Sequence, residues 1–196
     1  RLDAVKHIDS FFMKNFIRDI TEKYGDDFYV FGEFWNSDET ANNDYLENID
    51  YRFDLVDVKL HHNLFDASKS GADYDLRTIF DQTLAKNHPE SAVTFVDNHD
   101  TQRGQALEST VEEWFKPAAY ALILLREAGL PCVFYGDYYG IRGEFAQESF
   151  QEVLDKLLDI RLNLAYGEQT DYFDEANCIG WTRQGKDNGQ PIAVLI

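Results

Sequence analysis

Three short apolar runs in this chain each finish in a carboxylate beside aromatic residues or histidine. They read Arg1-Leu2-Asp3-Ala4-Val5-Lys6-His7, Phe28-Tyr29-Val30-Phe31-Gly32-Glu33-Phe34-Trp35 and Val93-Thr94-Phe95-Val96-Asp97-Asn98-His99-Asp100. A charge at the rim of an apolar core is costly unless something compensates it. Three such endings therefore suggest carboxylates collected over one pocket. The chemistry that such a collection serves is hydrolysis of a glycosidic bond. One carboxylic acid protonates the leaving oxygen, while one carboxylate attacks the anomeric carbon or activates water.

The two carboxyl groups need different surroundings so that one keeps its proton near neutral pH. Glu33, between Phe31, Phe34 and Trp35, is the candidate acid, because apolar surroundings raise a carboxyl pKa. Asp3 lies between Arg1 and Lys6, cations that hold it ionised as a nucleophile must be. An ion pair with either cation is the structural alternative for Asp3. The His99-Asp100 pair could grip sugar hydroxyls, with a hydrogen-bonded structural histidine as the alternative for His99. Trp35, Tyr135 and Tyr138 offer flat faces on which a pyranose ring can pack; for Tyr135, Tyr138 and Tyr139 packing competes equally. Asp97 reads as a hydrogen-bonding residue beneath the site, Trp114 and Trp181 as core, and His61 and His62 as surface.

The elements that must position these residues alternate in type. Residues 1–5 read as the end of a strand. Asp9 or Ser10 then caps a helix to about Tyr24, with Phe12, Phe16, Ile17 and Ile20 on its apolar side and Gly25 as its stop. Residues 28–33 are apolar throughout, as in a strand covered on both faces. Residues 36–48 are polar and hold a short helix. Further strands are predicted over residues 53–58, 92–97 and 132–136, and helices over 75–86, 112–128 and 149–164. From residue 169 the texture changes. The short runs 178–182 and 192–196 flank the turn-rich segment 184–189, an antiparallel hairpin opening an all-β unit. Strand-then-helix units repeated about five times imply a parallel sheet. Carboxylates at several strand ends and no Gly-x-Gly-x-x-Gly turn favour a (β/α)8 barrel over an open dinucleotide-binding sheet. Residues 1–168 would be the partial barrel and residues 169–196 the start of the β domain.

Composition narrows the partners. Thirty-six acidic residues against 18 basic give a formal net charge of −18. That disfavours nucleic acid, whose affinity rests on Lys and Arg at phosphates, and equally an anionic membrane surface. No apolar stretch reaches the roughly 18 residues that span a bilayer. Two cysteines make no disulfide scaffold; Cys132 reads as a thiol in a buried strand, which fits a reducing compartment and favours the cytoplasm over secretion.

Arg1-Leu2-Asp3-Ala4-Val5-Lys6-His7-Ile8, Gly32-Glu33-Phe34-Trp35 and Phe95-Val96-Asp97-Asn98-His99-Asp100-Thr101-Gln102 resemble, in order and spacing, conserved regions two, three and four of the α-amylase family of glycoside hydrolases. The wording is most similar to that of the bacterial liquefying and cytoplasmic members. Residues 129–137 resemble the family's eighth barrel strand, and 179–183 the opening of its C-terminal β domain. The resemblance implies the later strands, about four to eight, of a TIM barrel. It implies a retaining, endo-acting hydrolase of α-1,4-glucosidic bonds in starch, glycogen and maltooligosaccharides, with a related α-glucosidase, α-1,6-glucosidase or transglycosylase, or a non-catalytic glycan-binding module, as alternatives. Asp3 would be the nucleophile, Glu33 the acid/base and Asp100 the carboxylate that favours a distorted, oxocarbenium-like transition state. Arg1, Lys6, His7, Trp35 and His99 would bind substrate. The carbonyl at His7 would help to hold a structural calcium whose other ligands lie elsewhere; full-length members are expected to be monomers. The family's first conserved region and first strands are absent, so the isolated chain is expected to be inactive. Asp3 and Glu33 carboxyls should stand on the order of 5–5.5 Å apart, the retaining separation.

Overall fold

A computed structural model describes residues 1–25, 27–186 and 189–196. Four short parallel strands form one sheet in the order β1-β2-β3-β4: β1 (Phe31–Gly32), β2 (Asp54–Val56), β3 (Ala92–Phe95) and β4 (Leu130–Cys132). The chain start runs beside β1, with Leu2 bridging Gly32 in parallel and the Leu2 and Glu33 amides donating to Phe31 and Leu2 carbonyls. Five neighbouring stretches therefore run the same way and finish at the same edge. Each returns through helical structure, as parallel pairing requires.

The helices are α1 (Ser10–Tyr24), α2 (Glu39–Asn48), α3 (Val58–Ser70), α4 (Leu84–Asn87), α5 (Lys116–Leu124), α6 (Tyr135–Tyr139) and α7 (Gln151–Asn163). Carboxylates start several of them. Asp9, Asp38 and Asp57 accept the amides of Phe12, Ala41 and Leu60, which satisfies first-turn donors. No helix among the described residues is long and apolar enough to cross a membrane.

Several expectations are corrected. Helix α1 buries Met13 and Ile17, whereas Phe12 and Phe16 are exposed and stack on each other. Residues 58–70 form α3, a helix that starts where the third strand was expected to end, with Leu60, Leu64 and Ala67 buried one turn apart. Residues 75–86, expected as one helix, are a 3-10 turn at Leu76–Thr78, a stretch with Gln82 at φ +61° and then α4. The Leu76 amide donates instead to the Ala176 carbonyl, so docking against the C-terminal sheet replaces the helical ladder. The fifth strand ends at Cys132, and residues 135–139 are helical. Cys132 is exposed, because β4 is the outer strand of the described sheet. Trp114 is 62% exposed rather than core, its indole N–H donating to the Ser68 carbonyl.

The C-terminal strands β5 (Gln169–Glu175), β6 (Cys178–Arg183) and β7 (Ile192–Leu195) make an antiparallel sheet. The hairpin expectation holds for β6 and β7, β5 was not foreseen, and residues 187 and 188 of the expected turn lie outside the described residues. Trp181 is buried, as expected of a core residue. Arg126 joins the two sheets. It sits over the rings of Phe80, Phe173 and Trp181 at 4.5, 5.2 and 5.3 Å, and its guanidinium makes a two-pronged contact with Asp171 at 2.8 and 2.7 Å.

Candidate active site

The C-terminal edge of the parallel sheet opens into a cleft of ≈ 170 Å³. Its floor is apolar, from Phe31, Val56 and Phe95, the side chains that the strands turn to the inner face. Its rim carries Arg1, Glu33, Asp97, Asn98, His99 and Tyr135. A roomier groove of ≈ 340 Å³ lies elsewhere, among Trp114, Phe115 and Ile196, and no titratable side chain lines it.

Arg1 ties the first two motifs together. Its Nη1 lies 3.0 Å from Asp3 Oδ1 and its Nη2 3.1 Å from Glu33 Oε1. Glu33 Oε2 accepts the Ala4 amide at 3.1 Å, and Ala4 takes a left-handed turn (φ 47°) that aims its N–H there. Asp3 is 74% exposed at the side chain, whereas Glu33 is buried. Asp3 does not itself line the cleft but is one ion pair from Arg1, which does. The structural alternative for Asp3, pairing with Arg1, and the expected ionising neighbour are thus the same contact.

The apolar wrapping expected around Glu33 is corrected in part. Successive side chains here turn to opposite sides, so Phe31 shares the cleft with Glu33 while the adjacent Phe34 points away. Phe34 enters the main core and stacks on Tyr45 at 4.4 Å, and Trp35 packs on the inner face near His61, His62 and Phe95. The oxygens of Glu33 meet a guanidinium and an amide instead.

The third motif supplies a shaped loop. Asn98 Oδ1 accepts the amides of Asp100 and Thr101 at 2.8 and 3.0 Å, and the Thr101 hydroxyl donates to buried Asp97. This turn projects His99 over the cleft, with His99 Nε2 3.3 Å from Asp100 Oδ2. Asp97 is the buried residue beneath the site, and burial pushes its carboxyl up to about 6 against the pull of Lys116. Lys6 turns away: its Nζ donates to the Trp35 carbonyl at 3.1 Å, and His7 is exposed. Of the sequence-predicted residues, the fold brings Arg1, Glu33 and His99 onto the cleft and holds Asp3 and Asp100 through their partners. Lys6, His7 and Trp35 lie outside its lining. Tyr135 lines the cleft, whereas Tyr138 donates its hydroxyl to Asp155 and Tyr139 packs on both tyrosines.

No group of three or more His, Cys, Asp or Glu side chains among the described residues is placed to hold a metal ion.

His61, expected at the surface, is fully buried beside the cleft floor. Its ring stacks on Phe95 at 5.0 Å; Nδ1 meets the Val96 carbonyl and Nε2 the Ser109 hydroxyl, each at 2.7 Å. A carbonyl can only accept, so Nδ1 carries the proton. The helical spacing with Leu60 and Leu64 was the available signal. Burial pulls its pKa down to about 4. A lowered histidine pKa means that the unfolded chain binds the proton first as pH falls. Stability contributed by neutral His61 is complete above about pH 6.5 and lost progressively toward pH 4, by up to about 3 kcal/mol. His61→Phe should flatten that slope by one proton in urea unfolding at pH 7 and pH 5; equal slopes would refute the account.

Parallel strands that bring Glu33, Asp97 and His99 to one cleft at their C-terminal ends define a segment of an α/β barrel. The alpha-amylase catalytic-domain model matches residues 5–187, and the chain belongs to that family. It is 50% identical over 185 residues to the glucan 1,4-alpha-maltohexaosidase of Bacillus sp. (strain 707), covering 94% of this chain and 36% of that protein. It is 46% identical over 200 residues to the alpha-amylase of Bacillus licheniformis, covering 100% of this chain and 39% of that one. The chain thus spans well under half the length of these relatives. Among solved structures, the cyclomaltodextrin glucanotransferase CldA superposes with a TM-score of 0.74 at 23% identity, over 100% of this chain and 43% of that one. The fold is therefore part of the (β/α)8 barrel followed by strands of an antiparallel sheet.

Proposed function

We propose that this chain carries the catalytic strands of a retaining, endo-acting α-amylase that cleaves α-1,4-glucosidic bonds of starch, glycogen and maltooligosaccharides. The observation that carries the reading is Arg1: one guanidinium holds both Asp3 and Glu33, so two carboxylates from neighbouring strand ends share one place. The names of the relatives, an alpha-amylase and a maltohexaosidase, support the same substrate class.

In this mechanism Asp3 Oδ attacks the anomeric carbon as Glu33 gives its proton to the leaving glycosidic oxygen. The C–O bond to the leaving chain breaks and a glycosyl ester on Asp3 forms. Glu33, now a carboxylate, takes a proton from water, whose oxygen displaces Asp3 and regenerates both groups. Exposure suits Asp3 to reach a bound sugar, and Arg1 pairs with its side chain at 3.0 Å. Asp100, held by His99, binds hydroxyls of the ring that flattens in the transition state. Lys6 and His7, which lie outside the cleft lining here, would serve the leaving-group side, and Trp35 would offer a flat face to a sugar ring. Calcium enters only as a structural ion, to which these residues bring the His7 carbonyl. Residues 1–168 form the barrel part and 169–196 the β domain.

The test is product stereochemistry. The full-length protein should release α-anomers from soluble starch, followed by proton NMR before mutarotation, with internal cleavage shown by rapid loss of iodine staining. First-formed β-anomers would overturn the retaining mechanism, and cleavage of isomaltose in place of starch would overturn the substrate.

A further inference from the structure

Behind the cleft, Lys116 at the start of α5 is 1% exposed, and it plays no part in the chemistry above. Its ammonium meets three acceptors from three segments. It lies 2.9 Å from Asp97 Oδ2, pairs with Asp137 Oδ1 and donates to Gln147 Oε1 at 2.9 Å. The Phe150 ring closes the remaining side, 5.7 Å away. The acceptors are themselves anchored. Tyr120 donates its hydroxyl to Asp137 Oδ2 at 2.6 Å, Gln147 donates its amide to Asp137 Oδ1 at 2.7 Å, and Asp97 accepts from Thr101 and Val111.

Asp97 and Asp137 belong to the segments that follow the neighbouring strands β3 and β4, each of which gives one wall of the cleft. Asp97 begins the turn that carries His99 and Asp100, while Asp137 lies in α6, two residues after Tyr135. We propose that Lys116 is a positioning residue for the cleft, a buried cation that sets the spacing between the His99–Asp100 wall and the Tyr135 wall. An ammonium suits this task because one compact charge can donate to Asp137 and Gln147 while attracting the Asp97 carboxylate at 2.9 Å. Two carboxylates buried without a counter-charge would repel each other and take up water, and the walls would part. A displacement of about 1 Å at a catalytic group can lower a rate on the order of 10²-fold.

The part of this inference that concerns turnover rests on the α-amylase reading, so the test has a readout that does not. In the full-length protein, Lys116→Met with Asp97→Asn removes both ion pairs of Lys116 at unchanged buried net charge and leaves Asp137 with the Tyr120 hydroxyl and the Gln147 amide as its partners. Hydrogen exchange should accelerate together at amides 98–101 and 135–139 by about 10-fold or more, with β2 and β3 unchanged. On a maltooligosaccharide, kcat should fall about 10-fold or more while KM moves less than about 3-fold. Lys116→Arg keeps the charge but presents a planar fork, and should fall between wild type and the double variant on both measures; it carries the test should the double variant fail to fold. Unchanged exchange at either wall, or acceleration spread evenly over the sheet, would overturn the proposal. A wild-type protein without activity on α-glucans, but with both walls loosened in the variants, would overturn the α-amylase reading and leave the clamp standing.

Discussion

Glu33→Gln in the full-length protein is expected to lower kcat on starch by a factor on the order of 10²–10⁴, the usual contribution of a general acid/base. The substitution keeps the shape and keeps an oxygen for the Ala4 amide, so it removes the transferable proton with little change in packing. Maltooligosaccharide binding should therefore persist within about a few-fold, measured by calorimetry on the variant. Azide offers a sharper reading. With Glu33→Ala and a substrate bearing a good leaving group, the Asp3 ester still forms, and azide can displace it without help from a base. The product should be the α-glycosyl azide. Hydrolysis of starch at the wild-type rate by Glu33→Gln would remove Glu33 from the mechanism.

Asp3→Gly should be at least as damaging, by a factor on the order of 10⁴, because it removes the attacking carboxylate itself. The cavity left by the side chain admits azide, and one displacement replaces two, so the azide product should have the β configuration. The pair of variants thus assigns attacker and acid by opposite product anomers. Stability should change little, since Asp3 is largely exposed and its pairing with Arg1 is a surface ion pair. Loss of activity through unfolding would show as a lowered Tm and would contradict this.

The legible parts of the site were those where a local run of residues carries its own signal. A strand's apolar run followed by Glu33, or by Asp97-Asn98-His99-Asp100, announces both a strand and the loop after it, and both stand where they were expected. The helix from Ser10 was readable from Asp9, Gly25 and its spacing. What was misread depended on partners far along the chain. Residues 75–86 contain the spacing of a helix, yet the Ala176 carbonyl, a hundred residues away, takes the Leu76 amide. Trp114 looked like core because tryptophan usually is, but only its indole N–H found a partner. His61 looked like surface because its type usually is, and no local signal singled out Lys116. Each is buried because distant acceptors are waiting: Val96 and Ser109 for one, Asp97, Asp137 and Gln147 for the other.

Local order along the chain was enough to specify strands, most helices and the family, and to nominate three carboxylates, since periodicity and motif spacing are properties of neighbouring residues. Only the folded arrangement decided that Arg1 would grip Asp3 and Glu33 at once, that Phe34 and Trp35 would turn to opposite layers, and that a buried lysine would sit between two aspartates. Electrostatic environment depends on what surrounds a group in three dimensions, and those surroundings come from segments that no short window of sequence contains.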